Sequence, residues 1–181
     1  DGVVRISPPG DAEMFAVVHS VDALGLDTIG AYGGDIFVGT NHMDRIDRIL
    51  PSGVAVSFSD FPYDMAGCVE AIAFAPPGKY GELMYVATSS VHGTDPCWAG
   101  LHTVDTDGNP TRFAPDIVAA YDLAFDPCDM FCGDLFVLGM KDFNDWDVVW
   151  RVTPDGTPIK FAIPDHAGPH VLAMAFDPNG M

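Results

Sequence analysis

The sequence predicts an all-β protein that is built from one repeated, four-stranded unit. Glycine occurs 19 times and proline 15 times in the 181 residues, and charged residues make up only 19% of the chain. This content of turn-forming residues is above the usual composition of globular proteins, in which glycine is about 7% and proline about 5%. Three short patterns also recur in a fixed order along the chain. Many short strands joined by tight turns account for both observations.

The first pattern is a short apolar run that ends in Leu or Phe and is often followed by Asp-Pro. Its four copies end at the anchor residues Leu26, Phe74, Phe125 and Phe176. The anchors recur at intervals of about 50 residues, a period that is typical of repeat architectures. We assign this pattern to strand a of the unit. The expected strands a are 22–26, 71–75, 122–126 and 172–176.

The other two patterns supply strands b, c and d. Strand b follows a glycine-rich turn, as in residues 32–38, and strands c and d flank a turn such as Pro154-Asp155-Gly156. Glycine favours such hairpin turns because it adopts positive φ without steric cost. Four strands in about 50 residues indicate a blade of a β-propeller. A β-sandwich with coincidental spacing is the alternative, and it does not account for three patterns that recur in one order.

The expected organisation is a partial β-propeller of about 3.6 four-stranded antiparallel blades. Such a chain cannot close a six-bladed ring, so we expect either a longer chain or an assembly of several chains, and we favour the longer chain. The predicted units are strands c and d of one blade at 1–16, whole blades at 22–61, 70–115 and 121–163, and the start of a further blade at 171–181.

The string LAFDP…GDLFV…VVWRVTPDGTPIKFA, within residues 123–162, resembles the blades of NHL-repeat and gluconolactonase-type propellers. That group is six-bladed and calcium-dependent, and the resemblance extends over nearly the whole chain. It implies a propeller fold and a central metal that is coordinated by an acidic residue at the beginning of a strand a. The chain departs from the family pattern at Cys128 and Cys132, in one a–b turn, and in its first strand a, which lacks the aromatic residue and the proline.

The charge of the chain restricts its partners. It carries 8 Lys and Arg against 26 Asp and Glu, a formal net charge of −18. Nucleic acids and anionic membranes are repelled by such a surface, whereas cations are attracted. No segment approaches the roughly 18 consecutive apolar residues of a membrane helix. We therefore expect no nucleic-acid partner and no membrane insertion.

The chain starts at Asp1 without a signal-peptide pattern, which is expected of a mature product or a fragment.

The two faces of a propeller divide the candidate site residues. The b–c and d–a loops lie on one face, here called the upper face, and the a–b and c–d turns lie on the lower face. Asp22 and Glu70 each stand four residues before a strand-a anchor, so we expect both to point into the upper mouth of the central channel. Asp122 is offset by one position. Carboxylates suit a hard cation such as Ca²⁺, which is the cofactor we expect at these three residues. A solvated acidic rim is the alternative.

The loops of the upper face contain the other candidate ligand residues. A protein or glycan partner is expected on this face. In contrast, Asp105, Asp107 and Gly108 resemble part of a calcium loop, but without its distal Glu they are better explained as a hairpin turn. The candidate ligand residues of the upper face are His42, Asp44, His92, Asp95, Asn144, Asp145, His166 and His170.

The expected function is that of a non-enzymatic binding or structural module with an acidic, calcium-binding face, outside the cell or in the periplasm. A metal-dependent, lactonase-like hydrolase is one alternative. A repeating unit of a surface layer or extracellular fibre, which implies self-assembly, is the other. The sequence has neither Gly-x-Ser-x-Gly nor His-Glu-x-x-His, so no enzymatic motif of these kinds favours the hydrolase.

The positions of the cysteines predict two disulfides, Cys68–Cys97 and Cys128–Cys132, with four reduced thiols as the alternative. The first pair is expected above adjacent strands of one blade, and the second flanks one tight a–b turn. Non-reducing peptide mapping should recover these two pairs. In the chain-entropy model the longer loop contributes roughly 3–4 kcal/mol and the shorter about 2 kcal/mol. A Cys68–Cys128 or Cys97–Cys132 linkage would show that the loops had been assigned to the wrong faces.

Overall fold

The structure, a computed structural model, confirms the predicted all-β fold. No helix occurs in the part of the chain that it describes. In particular, no helix there is long and apolar enough to cross a membrane. The described residues are 2–40, 45–61, 68–89, 99–127, 131–141, 148–163 and 173–176.

The strands are short and follow one another in a regular meander. In chain order they are β1 (Gly2–Ser7), β2 (Asp11–Val17), β3 (Val21–Leu26), β4 (Ile36–Thr40), β5 (Arg45–Ile49), β6 (Ala55–Asp60), β7 (Cys68–Phe74), β8 (Met84–Ser89), β9 (Gly100–Val104), β10 (Pro110–Ala114), β11 (Ala119–Phe125), β12 (Leu135–Met140), β13 (Val148–Val152) and β14 (Pro158–Ala162).

These strands form three four-stranded antiparallel sheets and one two-stranded sheet. The full sheets are β3–β6, β7–β10 and β11–β14, and β1 pairs with β2 alone. The first strand of each full sheet packs beside the first strand of the next, β3 against β7 and β7 against β11. This is the arrangement of about three and a half propeller blades, with the strands a lining the central channel.

In the first and third full blades, the aspartate that follows the strand-a anchor holds the a–b turn in place. Asp27 is buried, at 4% exposure. A buried carboxylate is costly unless its oxygens accept hydrogen bonds, and here the glycine-rich turn supplies the donors. The Asp27 carboxylate accepts four backbone N–H groups at 2.7–3.2 Å, those of Ile29, Gly30, Tyr32 and Gly34. In the third full blade, Asp126 accepts the N–H groups of Phe131 and Gly133 at 2.6 and 3.3 Å.

Each interface between a full blade and the next strand a contains four aromatic rings. One ring comes from the a–b turn, one from strand b, one from strand d, and one from strand a of the next blade. Neighbouring rings lie 4.9–6.1 Å apart, mostly edge to face. Such pairs contribute about 0.5–1.5 kcal/mol beyond burial. The three sets are Tyr32, Phe37, Phe58 and Phe74; Tyr80, Tyr85, Phe113 and Phe125; and Phe131, Phe136, Phe161 and Phe176.

A tyrosine hydroxyl also joins successive blades by hydrogen bonds. The hydroxyl of Tyr32 accepts the Met84 N–H at 2.8 Å and donates to the Val104 carbonyl in the next blade. Tyr80 makes the same pair of bonds one blade later, accepting from Leu135 and donating to Val152. Burial raises the pKa of both tyrosines, which keeps the hydroxyls protonated. Each hydroxyl therefore satisfies a buried donor and a buried acceptor of the adjacent sheet.

The c–d turns pack against the preceding blade through glycine. In every blade the extra residue of a bulge in strand d is a phenylalanine, as for Phe58 in β6. A Cβ on Gly108 would lie 2.1 Å from the Phe58 carbonyl oxygen, which leaves no room for a side chain. A Cβ on Gly53 or Gly156 would likewise lie 2.2 Å from a phenylalanine carbonyl oxygen, that of Phe15 or Phe113, and all three glycines have φ between +81 and +85°.

We expect Gly108→Ala to destabilise the protein more than Gly30→Ala. Gly30 has nearly the same φ, +81°, but a Cβ there would meet nothing within 4 Å. Both changes carry the roughly 1–2 kcal/mol cost of a left-handed alanine. Only Gly108→Ala adds the collision with the Phe58 carbonyl. We therefore expect Gly108→Ala to lower the free energy of unfolding by at least about twice as much as Gly30→Ala. Urea unfolding of both variants measures this difference, and equal losses would contradict the close approach of the blades.

We expect Tyr80→Phe to lower the free energy of unfolding by about 1–3 kcal/mol, because it leaves the Leu135 N–H and the Val152 carbonyl buried without their partner. Tyr32→Phe should have the same effect at the neighbouring interface. In each of these variants, the hydroxyl of the other tyrosine still stabilises the folded protein. That stabilisation is fully present below pH 10, the usual tyrosine pKa, and is lost as the pH rises through the raised pKa of the folded state. Denaturant titrations at pH 7 and pH 11 measure both effects; a loss below about 0.5 kcal/mol would contradict this role of the hydroxyl.

Candidate functional site

The strands a begin at the upper mouth of the central channel, and each of the three full blades has a β-bulge there. In β3 the pairing passes from Val21 to Ala23, so Asp22 is the extra residue. Glu70 is the extra residue of β7, and Tyr121 is the extra residue of β11. A bulge changes the direction in which a side chain points, and bulges are frequent beside functional sites. We call Asp22, Glu70 and Tyr121 the mouth residues.

The two acidic mouth residues occupy equivalent bulge positions on adjacent strands, and their convergence on the channel stays a prediction. Asp22 is exposed to solvent, whereas Glu70 is half-buried. The Ser89 hydroxyl, at the end of the neighbouring strand β8, donates a hydrogen bond to Oε1 of Glu70. This bond fixes the orientation of the Glu70 carboxylate and leaves Oε2 for another partner. Asp22 and Glu70 therefore place two carboxylates at the same level of neighbouring strands.

The third mouth residue, Tyr121, was not among the predicted site residues. It stands four residues before the anchor Phe125, as Asp22 and Glu70 do before theirs, and this spacing could have identified it. Its half-buried ring packs against an apolar cluster that contains Ala99, Ala119 and Met140. The mouth therefore combines two carboxylates with an aromatic side chain.

The structure gives Asp122 a different environment. This residue pairs with Leu138 in the regular part of β11. Its Oδ1 accepts the Leu123 N–H at 2.8 Å, and its Oδ2 accepts the Met174 N–H at 2.6 Å. The carboxylate thus binds the backbone of residues 173–176, the predicted next strand a. One oxygen thus serves its own strand and the other the contact with the next blade, and the place of Asp122 in a metal site stays a prediction.

Calcium binding at the mouth stays a prediction. Ca²⁺ takes about six to eight oxygen ligands, and Asp22 and Glu70 supply carboxylates for only some of these. Over the described ranges, no group of three or more His, Cys, Asp or Glu side chains is arranged to hold a metal ion. The described residues make at most part of a calcium site. Asp105 serves its own hairpin, since its Oδ1 accepts the N–H groups of Asp107 and Asn109. The side-chain amide of Asn109 also donates to the Asp105 carboxylate, and the side-chain and backbone bonds from Asn109 lower the pKa of Asp105.

The other predicted ligand residues of the upper face lie outside the described part of the chain and stay predictions. They are His42, Asp44, His92, Asp95, Asn144, Asp145, His166 and His170.

The predicted disulfides are not shown by the structure. Cys68 is buried at the start of β7, and Cys132 is exposed in the a–b turn of the third full blade. Their predicted partners, Cys97 and Cys128, lie outside the described residues. Among the residues that are described, no disulfide is found. Both pairings therefore remain predictions.

A cavity of about 540 Å³ opens on the lower face, between the a–b turns of the three full blades. Its walls include Pro76, Lys79, Phe125 and Cys132. The Lys79 ammonium forms an ion pair with Asp134, a buried carboxylate. The cavity lies at the opposite end of the strands a from Asp22 and Glu70 and is therefore separate from the mouth.

Solved structures of other proteins share this fold. A catalytically inactive virginiamycin B lyase from Staphylococcus aureus, solved with quinupristin, matches 90% of the chain with 14% identity and a TM-score of 0.61. The PQQ-bound aldose sugar dehydrogenase from Streptomyces coelicolor matches 93% with 19% identity and a TM-score of 0.54. A glucose dehydrogenase-type oxidoreductase from Thermus thermophilus matches 92% with 15% identity and a TM-score of 0.52. Likeness at such low identity shows the fold alone, a β-propeller.

The matches cover 48%, 52% and 51% of those proteins, so the chain spans about half of their length. No protein-family model matches the chain, and no curated protein sequence matches it. The comparisons therefore support the predicted β-propeller, whereas the resemblance to NHL-repeat and gluconolactonase-type propellers stays a prediction.

Proposed function

We propose that the protein is an extracellular or periplasmic β-propeller binding module that receives a cationic group at the upper mouth of its channel. The observation that carries this proposal is the β-bulge that recurs at one position of three adjacent strands. A bulge interrupts the regular pairing of a strand and changes the direction of its side chain, and we infer that the three equivalent bulges direct their side chains toward the same opening.

The chemistry of the mouth residues favours a cation. Asp22 and Glu70 are acceptors when ionised, and a chain with a net charge of −18 attracts cations over a long range. Tyr121 adds an aromatic ring, whose face attracts an ammonium group by about 0.5–2 kcal/mol. A hard metal ion would use the carboxylates alone, whereas an organic ammonium group would use both carboxylates and the ring.

The finer predictions about function remain proposals. The acidic composition and the cysteine content support a location outside the cytoplasm. A protein partner with exposed Lys or Arg side chains would present suitable cationic groups, while a glycan partner would use the same face through its hydroxyl groups. No described residue favours the lactonase-like hydrolase or the fibre unit over binding, and the activities of the matched propellers belong to those proteins.

We expect a cation that binds the folded protein to raise its Tm by mass action. Two probes distinguish the two cation classes: CaCl₂, with EDTA added afterwards as the reversal control, and butylammonium chloride. The Asp22→Asn/Glu70→Gln variant should lose the rise in Tm with either probe, and Tyr121→Leu should lose only the response to butylammonium.

The matched control is Asp11→Asn/Asp107→Asn, which removes two negative charges from exposed positions away from the mouth. It should keep the full response of the unmodified protein. The proposal is wrong if neither probe raises Tm, or if the control variant loses the response to the same extent as the mouth variant.

A further inference from the structure

The cavity on the lower face has the size and the walls of a small-molecule site. Its volume of about 540 Å³ lies within the range of roughly 300–1,000 Å³ that is usual for ligand pockets. All of its lining residues lie in the three full blades, between positions 28 and 133 of the chain. The walls are largely apolar and contain two strand-a anchors and three prolines, namely Phe74, Phe125, Pro76, Pro77 and Pro127.

Lys79 brings a cationic group to the wall of this cavity. Its side chain is 37% exposed, and its ammonium lies 5.4 Å from the centroid of the Tyr80 ring. Over the described residues the ammonium donates one hydrogen bond, to Oδ1 of Asp134. A lysine ammonium has three N–H donors. Two donors of Lys79 are therefore left for an acceptor inside the cavity.

Asp134 pairs with one more cation than its counterpart in the first full blade does. Asp35, directly before β4, pairs with Arg48 of the same sheet. Asp134, directly before β12, pairs with Arg151 in the same way. Lys79 then reaches Asp134 from the preceding blade. One carboxylate thus balances two cations, which leaves a surplus of positive charge beside the cavity in a chain of net charge −18.

Asp126 also lines the cavity, but its charge is used by its own turn. The residue is only 4% exposed, and its Oδ2 accepts the N–H groups of Phe131 and Gly133. Backbone donors of this kind compensate the charge of a buried carboxylate. The charged group that the cavity presents to a ligand is therefore the ammonium of Lys79.

We propose that this cavity binds a small organic anion with an aromatic body and one carboxylate or similar anionic group. The aromatic body packs against the rings of Phe74 and Phe125, since aromatic rings pair favourably with one another. The anionic group accepts hydrogen bonds from Lys79, and such charge-assisted bonds are stronger than those between neutral groups. The site is separate from the channel mouth, and the proposal does not rest on the function proposed there.

Isothermal titration calorimetry of the 181-residue chain tests this proposal with two probes, naphthoate and its uncharged amide, naphthamide. We expect one naphthoate per chain, bound at least about tenfold more tightly than naphthamide because a hydrogen bond to a charged group is lost in the amide. Lys79→Met keeps the apolar stem and removes the ammonium. It should weaken naphthoate by about tenfold and leave naphthamide unchanged.

The matched control is Lys141→Met. The Lys141 side chain is 42% exposed and pairs with Asp116 at 3.1 Å, so it resembles Lys79 in exposure and in having an ion pair. It follows the opposite end of β12 from Asp134 and does not line the cavity. This variant should bind naphthoate as tightly as the unmodified chain does.

Asp134→Asn separates ligand binding from the joining of two blades. Lys79→Met and Asp134→Asn both break the ion pair between the blades, but only Asp134→Asn keeps the ammonium and removes the carboxylate that competes for it. Naphthoate should therefore bind to Asp134→Asn at least as tightly as to the unmodified chain.

Thr28→Glu tests the site without breaking the ion pair, since Thr28 is an exposed residue of the cavity wall. The added negative charge should weaken naphthoate, and far-UV circular dichroism checks that each variant is folded. The proposal is overturned if the unmodified chain does not bind naphthoate, if it binds both probes equally, or if Lys79→Met and Asp134→Asn weaken naphthoate to the same extent. Unchanged binding of naphthoate to Thr28→Glu would also overturn it.

Discussion

The contact between successive blades is the constraint on which the rest of the structure depends. Each sheet is thin, and its apolar side chains are buried only when another blade covers them. Ile49, Val104 and Val152 show this directly, since they are buried at 0–1% exposure where a blade precedes them. Four aromatic rings, a bulged phenylalanine and a turn glycine recur at the interfaces between blades. At two of these interfaces a tyrosine hydroxyl also joins the two blades by hydrogen bonds.

This contact also determines what the channel mouth can do. Stacking places β3, β7 and β11 side by side, so Asp22, Glu70 and Tyr121 occupy the same bulge position of three adjacent strands. Asp122 takes part in a contact between blades, where its Oδ2 accepts the N–H of Met174, while its Oδ1 accepts the N–H of Leu123 in its own strand. A shift of one position within the repeat therefore gives a carboxylate a different environment, since Asp22 and Glu70 lie at bulges whereas Asp122 holds the next strand a.

The sequence predicts the blades well because their determinants are local and repeated. The anchors, the glycine-rich turns and the hairpins fix strand positions through spacing alone, and the structure has the four-stranded antiparallel sheets that they predict. Asp22 and Glu70 follow from the same spacing. The same spacing also selects Tyr121, but its side chain is not acidic and so does not fit a predicted calcium site. The role of Asp122 depends on a hydrogen bond to a residue 52 positions away. The spacing of residues within one repeat cannot predict a contact between two repeats.

Hydrogen exchange at two backbone amides tests the central role of the blade contact most directly. The Met84 and Leu135 N–H groups donate to the hydroxyls of Tyr32 and Tyr80 in the preceding blade. The account predicts that both amides exchange only through global unfolding, as slowly as the central strand amides. In Tyr80→Phe, protection should be lost at Leu135 and kept at Met84. Exchange of both amides at the rate of exposed turn amides in the unmodified protein would contradict the account.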